Sequence, residues 1–234
     1  MLEQPLPGGF IGDAVRVGGT VRKTPPPDPP FVHAVLRHLE SWSGSPRYLG
    51  VDDQGRDMLE FLPGSVPLTG SRTANLVSVG RLIREFHGLT AGTTLAGPHE
   101  VVCHNDLSPK NTVYRDDRAV AFLDWDLAAP GKRVHDVAHA CWQFAGLGPA
   151  GPDVPEAARL IREIIDGYGL RSIRAGLVPA ILWWQDRCWR GIEAGADSGD
   201  PAMSRLRSSG VIDAVRDAYT WTQRHRQPLE AALR

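Results

Sequence analysis

The sequence predicts an α+β protein in two parts: a small β-rich N-terminal lobe with one helix over residues 1–64, and a larger, mainly helical C-terminal lobe over residues 65–234. Three observations carry that expectation. Alternating apolar runs flank Gly18-Gly19, three short β-prone runs lie between residues 101 and 123, and from Val134 onward apolar residues recur at helical spacing. With 234 residues, 42% of them hydrophobic, the chain can bury one large core or two small ones.

Taken in order, Ala14 to Val17 and Thr20 to Lys23 form a hairpin, because two glycines able to take positive φ separate two alternating runs. In that register Val17 faces Thr20 and Ala14 faces Lys23. Pro25 to Pro30 is a stiff connector. Phe31 to Ser41 carries Val32, Val35, Leu36 and Leu39 at helical spacing, giving one amphipathic helix. Arg47 to Val51 and Met58 to Leu62 make a second hairpin around Asp52-Asp-Gln-Gly-Arg. Pro63-Gly64 then marks the lobe boundary. Residues 72–90 hold Leu76, Val79, Leu82, Ile83 and Phe86 at helical period, ending near Gly88 and Gly92. Val101 to Cys103, Thr112 to Tyr114 and Ala119 to Leu123 are the three β runs. Helices follow around 134–147, 155–168, 172–195 and 203–225, separated by Gly, Pro and Ser.

Composition excludes several classes of function. Twenty-six Lys and Arg against 27 Asp and Glu leave a formal charge of -1, so no global field draws nucleic acid or an anionic membrane. The longest apolar stretch, Leu177 to Trp184, is far below the roughly 18 residues that cross a bilayer, and the first residues lack a basic and apolar leader pattern. A soluble, cytoplasmic protein, monomeric or weakly dimeric, is expected. Cys103, Cys141 and Cys188 are far apart and form no C-x-x-C pair, so they read as small core residues. Among the 26 basic residues only Lys23, Lys110 and Lys132 are lysines.

The chemistry concentrates in His104-Asn-Asp106-Leu-Ser108-Pro-Lys-Asn111, followed by Leu123-Asp124-Trp-Asp126. A carboxylate, an amide five residues on and a carboxylate 18 residues on, each at the mouth of a short strand, can converge on a metal–phosphate complex. Alone, Asp106 reads as an Asx-turn residue and Asn111 as a turn before a strand. Their joint spacing with Asp124 favours chemistry.

That spacing resembles the catalytic loop and metal-binding segment of kinases, H-x-D-x-x-x-x-N followed by an Asp-led turn. The stretch from Val101 to Ala140 resembles the aminoglycoside phosphotransferase and choline kinase-like family, and the likeness extends over about residues 8 to 147. The resemblance implies a two-lobed protein-kinase-like fold. It makes Asp106 the group that orients and deprotonates a substrate hydroxyl, with His104 bracing the loop. Asn111 and Asp124 would hold Mg²⁺ against the phosphates of ATP or GTP. Ser108 stands at the loop position where protein kinases carry a Lys, and is a candidate member of the catalytic set. Asp136, in the next helix, matches a position that pins the loop, although an acidic residue in a first helical turn is common on its own.

Upstream, Lys23 follows Val21 by two residues on one strand face, as the nucleotide-holding strand Lys of kinases follows a small apolar residue over the adenine. Glu40, 17 residues later, is its expected ion-pair partner, or else a solvated helix residue. Gly8-Gly9-Phe-Ile-Gly12 stands where the phosphate-covering loop belongs, so Gly9 and Gly12 are candidates, close to Met1. Glu60, Phe61 and Leu62 stand where the interlobe linker offers backbone groups to adenine, or simply end a strand.

The acceptor is read as a small molecule, because Asp-Trp-Asp replaces Asp-Phe-Gly and no Ala-Pro-Glu segment follows. Asp186, Glu193 and Asp197 share one helix face beside Trp183, Trp184 and Trp189; that face receives a cationic acceptor, or is a solvated acidic face beside core tryptophans. Asp126 touches metal or acceptor, or caps a turn. The expected activity is Mg²⁺-dependent transfer of the γ-phosphoryl of ATP or GTP to a hydroxyl, as in aminoglycoside phosphotransferases. A metabolic kinase for choline, ethanolamine or a sugar, and a catalytically weak nucleotide-binding module, remain open.

Overall fold

A computed structural model describes residues 2–6, 14–67, 75–169 and 171–234. Gly9 and Gly12 lie outside the described residues. The N-terminal part is one antiparallel sheet of Gln4–Pro5 (β1), Val15–Val17 (β2), Thr20–Lys23 (β3), Tyr48–Val51 (β4) and Asp57–Glu60 (β5), in the order β1-β2-β3-β5-β4. The first hairpin has the expected register: Gly18 takes φ 61° and Val17 pairs with Thr20. In the second, Asp52 closes the turn by accepting the backbone N–H groups of Gln54 and Arg56 at 2.9 Å each.

Between the hairpins, Pro29–His38 (α1) starts earlier than its apolar periodicity indicates. Asp28 caps it through Phe31 N, and Pro29 and Pro30 fill the first turn, where a missing N–H costs nothing. Val32, Val35 and Leu36 face inward.

The C-terminal part begins where Ser65 exchanges two backbone hydrogen bonds with Tyr114, at 3.0 and 2.9 Å. Leu76–Thr90 (α2) is capped by Asn75. Of the three expected β runs, Thr112–Arg115 (β7) and Arg118–Phe122 (β8) form a hairpin, turning on Asp116 and Asp117 at φ 49° and 59°. Val101–Cys103 (β6) pairs instead with Ala129–Gly131 (β9), a strand absent from the sequence reading. Arg133–Ala145 (α3), Val154–Tyr168 (α4) and Arg174–Asp197 (α5) match expected helices. The expected helix over 203–225 is corrected to two, Pro201–Ser208 (α6) and Val211–Arg224 (α7), because Gly210 takes φ 81° and breaks the backbone while apolar spacing continues. Arg226–Ala232 (α8) completes the chain. Among the described residues no helix is long and apolar enough to cross a membrane.

The main core lies between α2, α3, α4 and the β7–β8 hairpin. Phe86, Phe122 and Trp125 are fully buried there, with Phe86 edge-on to Trp125 at 5.3 Å and to Phe122 at 6.2 Å. Each such ring contributes about 1.5–3 kcal/mol by leaving water. Cys103 and Cys141 are buried and Cys188 is half-buried, all as free thiols.

Helices α2 and α4 cross at two glycines. A Cβ on Gly80 would enter the backbone of Ile164 and Tyr168, and one on Gly167 would enter the backbone of Val77. Gly88, on the same α2, has open space around it. Gly80→Ala gains about 1 kcal/mol of helix propensity but forces the helices apart, at about 1–3 kcal/mol or more. We expect urea unfolding to show Gly80→Ala destabilised and Gly88→Ala slightly stabilised; equal effects at the two positions would contradict the close crossing.

Candidate active site

The site is built on one buried carboxylate. Asp136, in the first turn of α3, is fully buried and accepts the backbone N–H of His104 at 2.7 Å and of Asn105 at 2.9 Å. His87 Nε2 of α2 donates to it at 3.1 Å, while His87 Nδ1 lies 3.0 Å from the Tyr168 hydroxyl. Burial would raise the Asp136 pKa, yet the hydrogen bond from His87 and those from the loop N–H groups hold it below the ordinary carboxylate range. The sequence singled out Asp136 as the loop's anchor; His87 was missed. Its only local signal is a histidine on the apolar face of α2 that also carries Ile83 and Phe86.

Pinned at 104–105, the loop turns at Asn105, φ 64°. His104 Nε2 donates to the Leu123 carbonyl at 2.9 Å, so Nδ1 is free to accept the Asp106 N–H at 3.3 Å. Burial lowers the His104 pKa, and the ring is a neutral brace. Asp106, half-buried, accepts Asn111 Nδ2 at 2.7 Å. Burial pushes its carboxyl up, against the pull of the Lys110 charge. With Nδ2 turned to Asp106, the amide of Asn111 keeps Oδ1 as its acceptor. The Asn111 carbonyl accepts Leu123 N–H at 2.7 Å, which ties the loop to the segment carrying Asp124.

Asp124 sits at φ 60°, between β8 and the short 3₁₀ turn Trp125–Leu127. Lys23 reaches across from β3, its Nζ 2.7 Å from both Asp124 Oδ1 and Asp126 Oδ1. Burial alone would lower the Lys23 pKa, but the two carboxylates raise it. Asp124 is lowered, because Lys23 outweighs its own burial; Asp126 is raised by burial and by its acidic neighbour. Asp124 and Asp126 offer carboxylate oxygens and Asn111 an amide oxygen, the ligand types a hard divalent cation takes. Among the described residues, His87, Cys103 and Asp136 bring three possible ligand atoms within 4.8 Å of one another, but they are already hydrogen-bonded: Cys103 Sγ donates to Lys132 O at 3.3 Å, and burial drives its thiol far up.

Several expected site residues stand elsewhere. Glu40 is exposed beyond the end of α1 and does not meet Lys23, whose charge is taken by Asp124 and Asp126. Helix α1 instead joins the sheet through His33 Nε2, 2.8 Å from Asp57 Oδ2, with its ring stacked on Tyr48 at 4.0 Å. Ser108 is buried beneath the loop and its hydroxyl meets no partner among the described residues; only its carbonyl is used, by Asn111 N and Thr112 Oγ1. Asp186, Glu193 and Asp197 are paired with Arg190, Arg216 and Arg207, so they form a neutralised surface. Val21 lies opposite Leu59 on the Lys23 face. Glu60 pairs with Arg47, and the Glu60 and Phe61 N–H groups go to Arg47 O and Gly19 O. Of the linker N–H groups, that of Leu62 has no partner among the described residues.

Removing the Asp136 carboxylate leaves three donors unsatisfied in the interior, a loss of about 3 kcal/mol or more. Since its folded pKa lies below the ordinary value, Asp136 stabilises the native state in full above about pH 4 and loses that contribution as pH falls further. Denaturant unfolding of wild type and Asp136→Ala should therefore differ most at pH 6–7 and converge towards pH 3. A pH-independent difference would contradict the assignment.

Residues 93–175 match the phosphotransferase enzyme family. Over 261 aligned residues, covering 97% of each chain, the protein is 29% identical to the trifolitoxin immunity protein of Rhizobium leguminosarum bv. trifolii. Its fold is that of a choline/ethanolamine kinase family protein from Mesorhizobium loti, with TM-score 0.65 and 14% identity, covering 100% of this chain and 92% of that one. It is likewise that of the aminoglycoside phosphotransferase APH(2″)-IIa in its gentamicin complex, with TM-score 0.60 and 15% identity, covering 93% of each. In the sequence of residues 93–175 and in its fold, the protein is thus similar to the aminoglycoside phosphotransferases and choline/ethanolamine kinase-like phosphotransferases.

Proposed function

We propose that the protein transfers the γ-phosphoryl of ATP or GTP, with Mg²⁺, to a hydroxyl of a small molecule in the cytoplasm, residues 1–64 gripping the nucleotide and residues 65–234 carrying the catalytic and acceptor groups. The observation that supports it best is Lys23 meeting Asp124 and Asp126 at 2.7 Å across 101 or more residues of chain, beside the Asp106–Asn111 pair. A purely structural ion pair would not need a second carboxylate–amide pair alongside.

In this reading Asp106 aligns the acceptor hydroxyl and takes its proton. Its raised affinity for a proton suits that step, as a base works best when its pKa moves towards the working pH. Asn111 holds Asp106 through Nδ2 and offers Oδ1 to the metal. Asp124, with Asp126 beside it, holds the metal, and Lys23 holds the nucleotide's inner phosphates. Mg²⁺ supplies charge neutralisation at the phosphates. His104, neutral and doubly hydrogen-bonded, fixes the loop without exchanging protons.

On the acceptor side, the arginine-paired carboxylates of α5 offer little to a polycation, whereas Trp183 is 44% exposed and stacked on His135 at 4.8 Å. That favours an acceptor with a ring or apolar portion. The relative's name points to an antimicrobial compound, whereas the choline/ethanolamine kinase-like fold keeps a metabolic alcohol as the second reading. ADP and GDP release against aminoglycosides, amino alcohols, sugars, nucleosides and hydroxylated peptides should single out one class.

With that acceptor, Asp106→Asn should lower kcat by roughly 10²–10⁴-fold and leave Mg²⁺·ATP affinity within a few-fold. Asp124→Ala should weaken Mg²⁺·ATP binding as well as rate. Calorimetry showing unchanged nucleotide affinity in Asp124→Ala, or turnover surviving in Asp106→Asn, would overturn these roles.

A further inference from the structure

Asp57 has no role in the site as proposed, yet its placement is unusual. It is 4% exposed, His33 occupies its Oδ2, and its Oδ1 has no hydrogen-bond partner among the described residues. An ionisable oxygen left unpaired in the interior is costly and calls for an explanation. The sheet register supplies one: Asp57 on β5 is the direct cross-strand partner of Lys23 on β3. Side chains opposite one another in an antiparallel pair leave the same face of the sheet, with Cβ atoms about 4.5–5.5 Å apart. The four-carbon stem of lysine covers that span.

Lys23 now spends its charge on Asp124 and Asp126, the carboxylates assigned to the metal. A divalent cation competes for those oxygens, and Lys23 must then turn to phosphate while keeping a counter-ion that orients it. Glu40 cannot serve, since it lies exposed past the end of α1. We propose that Asp57 is the positioning residue for Lys23: its free Oδ1 takes the ammonium when metal and nucleotide engage Asp124, and His33 holds Asp57 ready through Oδ2. The inference rests on the nucleotide-binding role of Lys23 in the proposed function. It gives α1 its link to the site through His33 and a strand carboxylate, with no carboxylate from the helix itself.

The test is calorimetric Mg²⁺·ATP affinity of the full chain for wild type, Asp57→Asn, Asp57→Glu, Lys23→Ala and the Lys23→Ala/Asp57→Asn double variant. Asp57→Asn, which removes charge at constant shape, should weaken binding roughly tenfold, and Asp57→Glu should recover part of it. The double variant should bind no worse than Lys23→Ala alone, because residues acting as a unit are not additive. Wild-type affinity in Asp57→Asn, or additive losses, overturns the proposal. Should Asp57→Asn fail to fold, wild type answers alone. With lysines only at 23, 110 and 132, ¹³Cε-lysine spectra assigned through Lys23→Ala should gain a Lys23 Hε to Asp57 Hβ contact on adding Mg²⁺·ATP. Its absence overturns the proposal. If Lys23→Ala binds Mg²⁺·ATP normally, the nucleotide role of Lys23 falls and Asp57 with it; if only Asp57→Asn is silent, that role survives and this inference does not.

Discussion

The arrangement of the site depends on the burial of a single negative charge. Asp136 lies at the start of α3, where the helix N-terminus favours an anion, and receives three hydrogen bonds from two other segments. Two of those donors are consecutive backbone N–H groups, so the carboxylate fixes the path of the loop itself. Everything downstream inherits that path: the His104 brace, the direction of Asp106 and the reach of Asn111. The third donor, His87, couples the same carboxylate to α2 and, through Tyr168, to the end of α4. The helical core and the His104–Asn111 loop are therefore one cooperative unit.

Lys23 is the counterpart on the other side of the site. Among the described residues its ion pairs are the charged link between the N-terminal sheet and the Asp124 segment, and it gathers two carboxylates whose mutual repulsion would otherwise splay the turn after β8. The opposed shifts of Asp124 and Asp126 follow from one ammonium shared between unequal neighbours. On α5, by contrast, arginines quench each of the three candidate acidic groups at the surface, where an exposed pair contributes little to stability. Their effect is on the local field, which no longer favours a cation.

Much of the molecule was legible in the sequence, for identifiable reasons. The first hairpin and its register follow from Gly18-Gly19, because turn conformation is a property of the residues in the turn. The amphipathic helices follow from apolar spacing. The H-x-D-x-x-x-x-N pattern with Asp124 brings Asp106, Asn111 and the carboxylates of Asp124 and Asp126 to neighbouring strand ends, since a short hairpin, β7 to β8, is all that separates them. Where reading failed, the signal was absent or misleading: the break at Ser209-Gly210 sits inside continuous apolar spacing, and β9 is three residues with no periodicity to see.

The sequence by itself determined which carboxylates and amides lie at short spacing along the chain, where the chain turns, and that a sheet precedes a helical body, because each rests on local conformational preference or on short spacing. Tertiary structure decided the partnerships: Lys23 with Asp124 and Asp126 and not Glu40, Asp57 with His33, His87 with Asp136, and the acids of α5 with arginines. A charge takes the counter-ion that packing brings within about 3–4 Å, and that distance is set by how sheets and helices meet, which no spacing along the chain encodes.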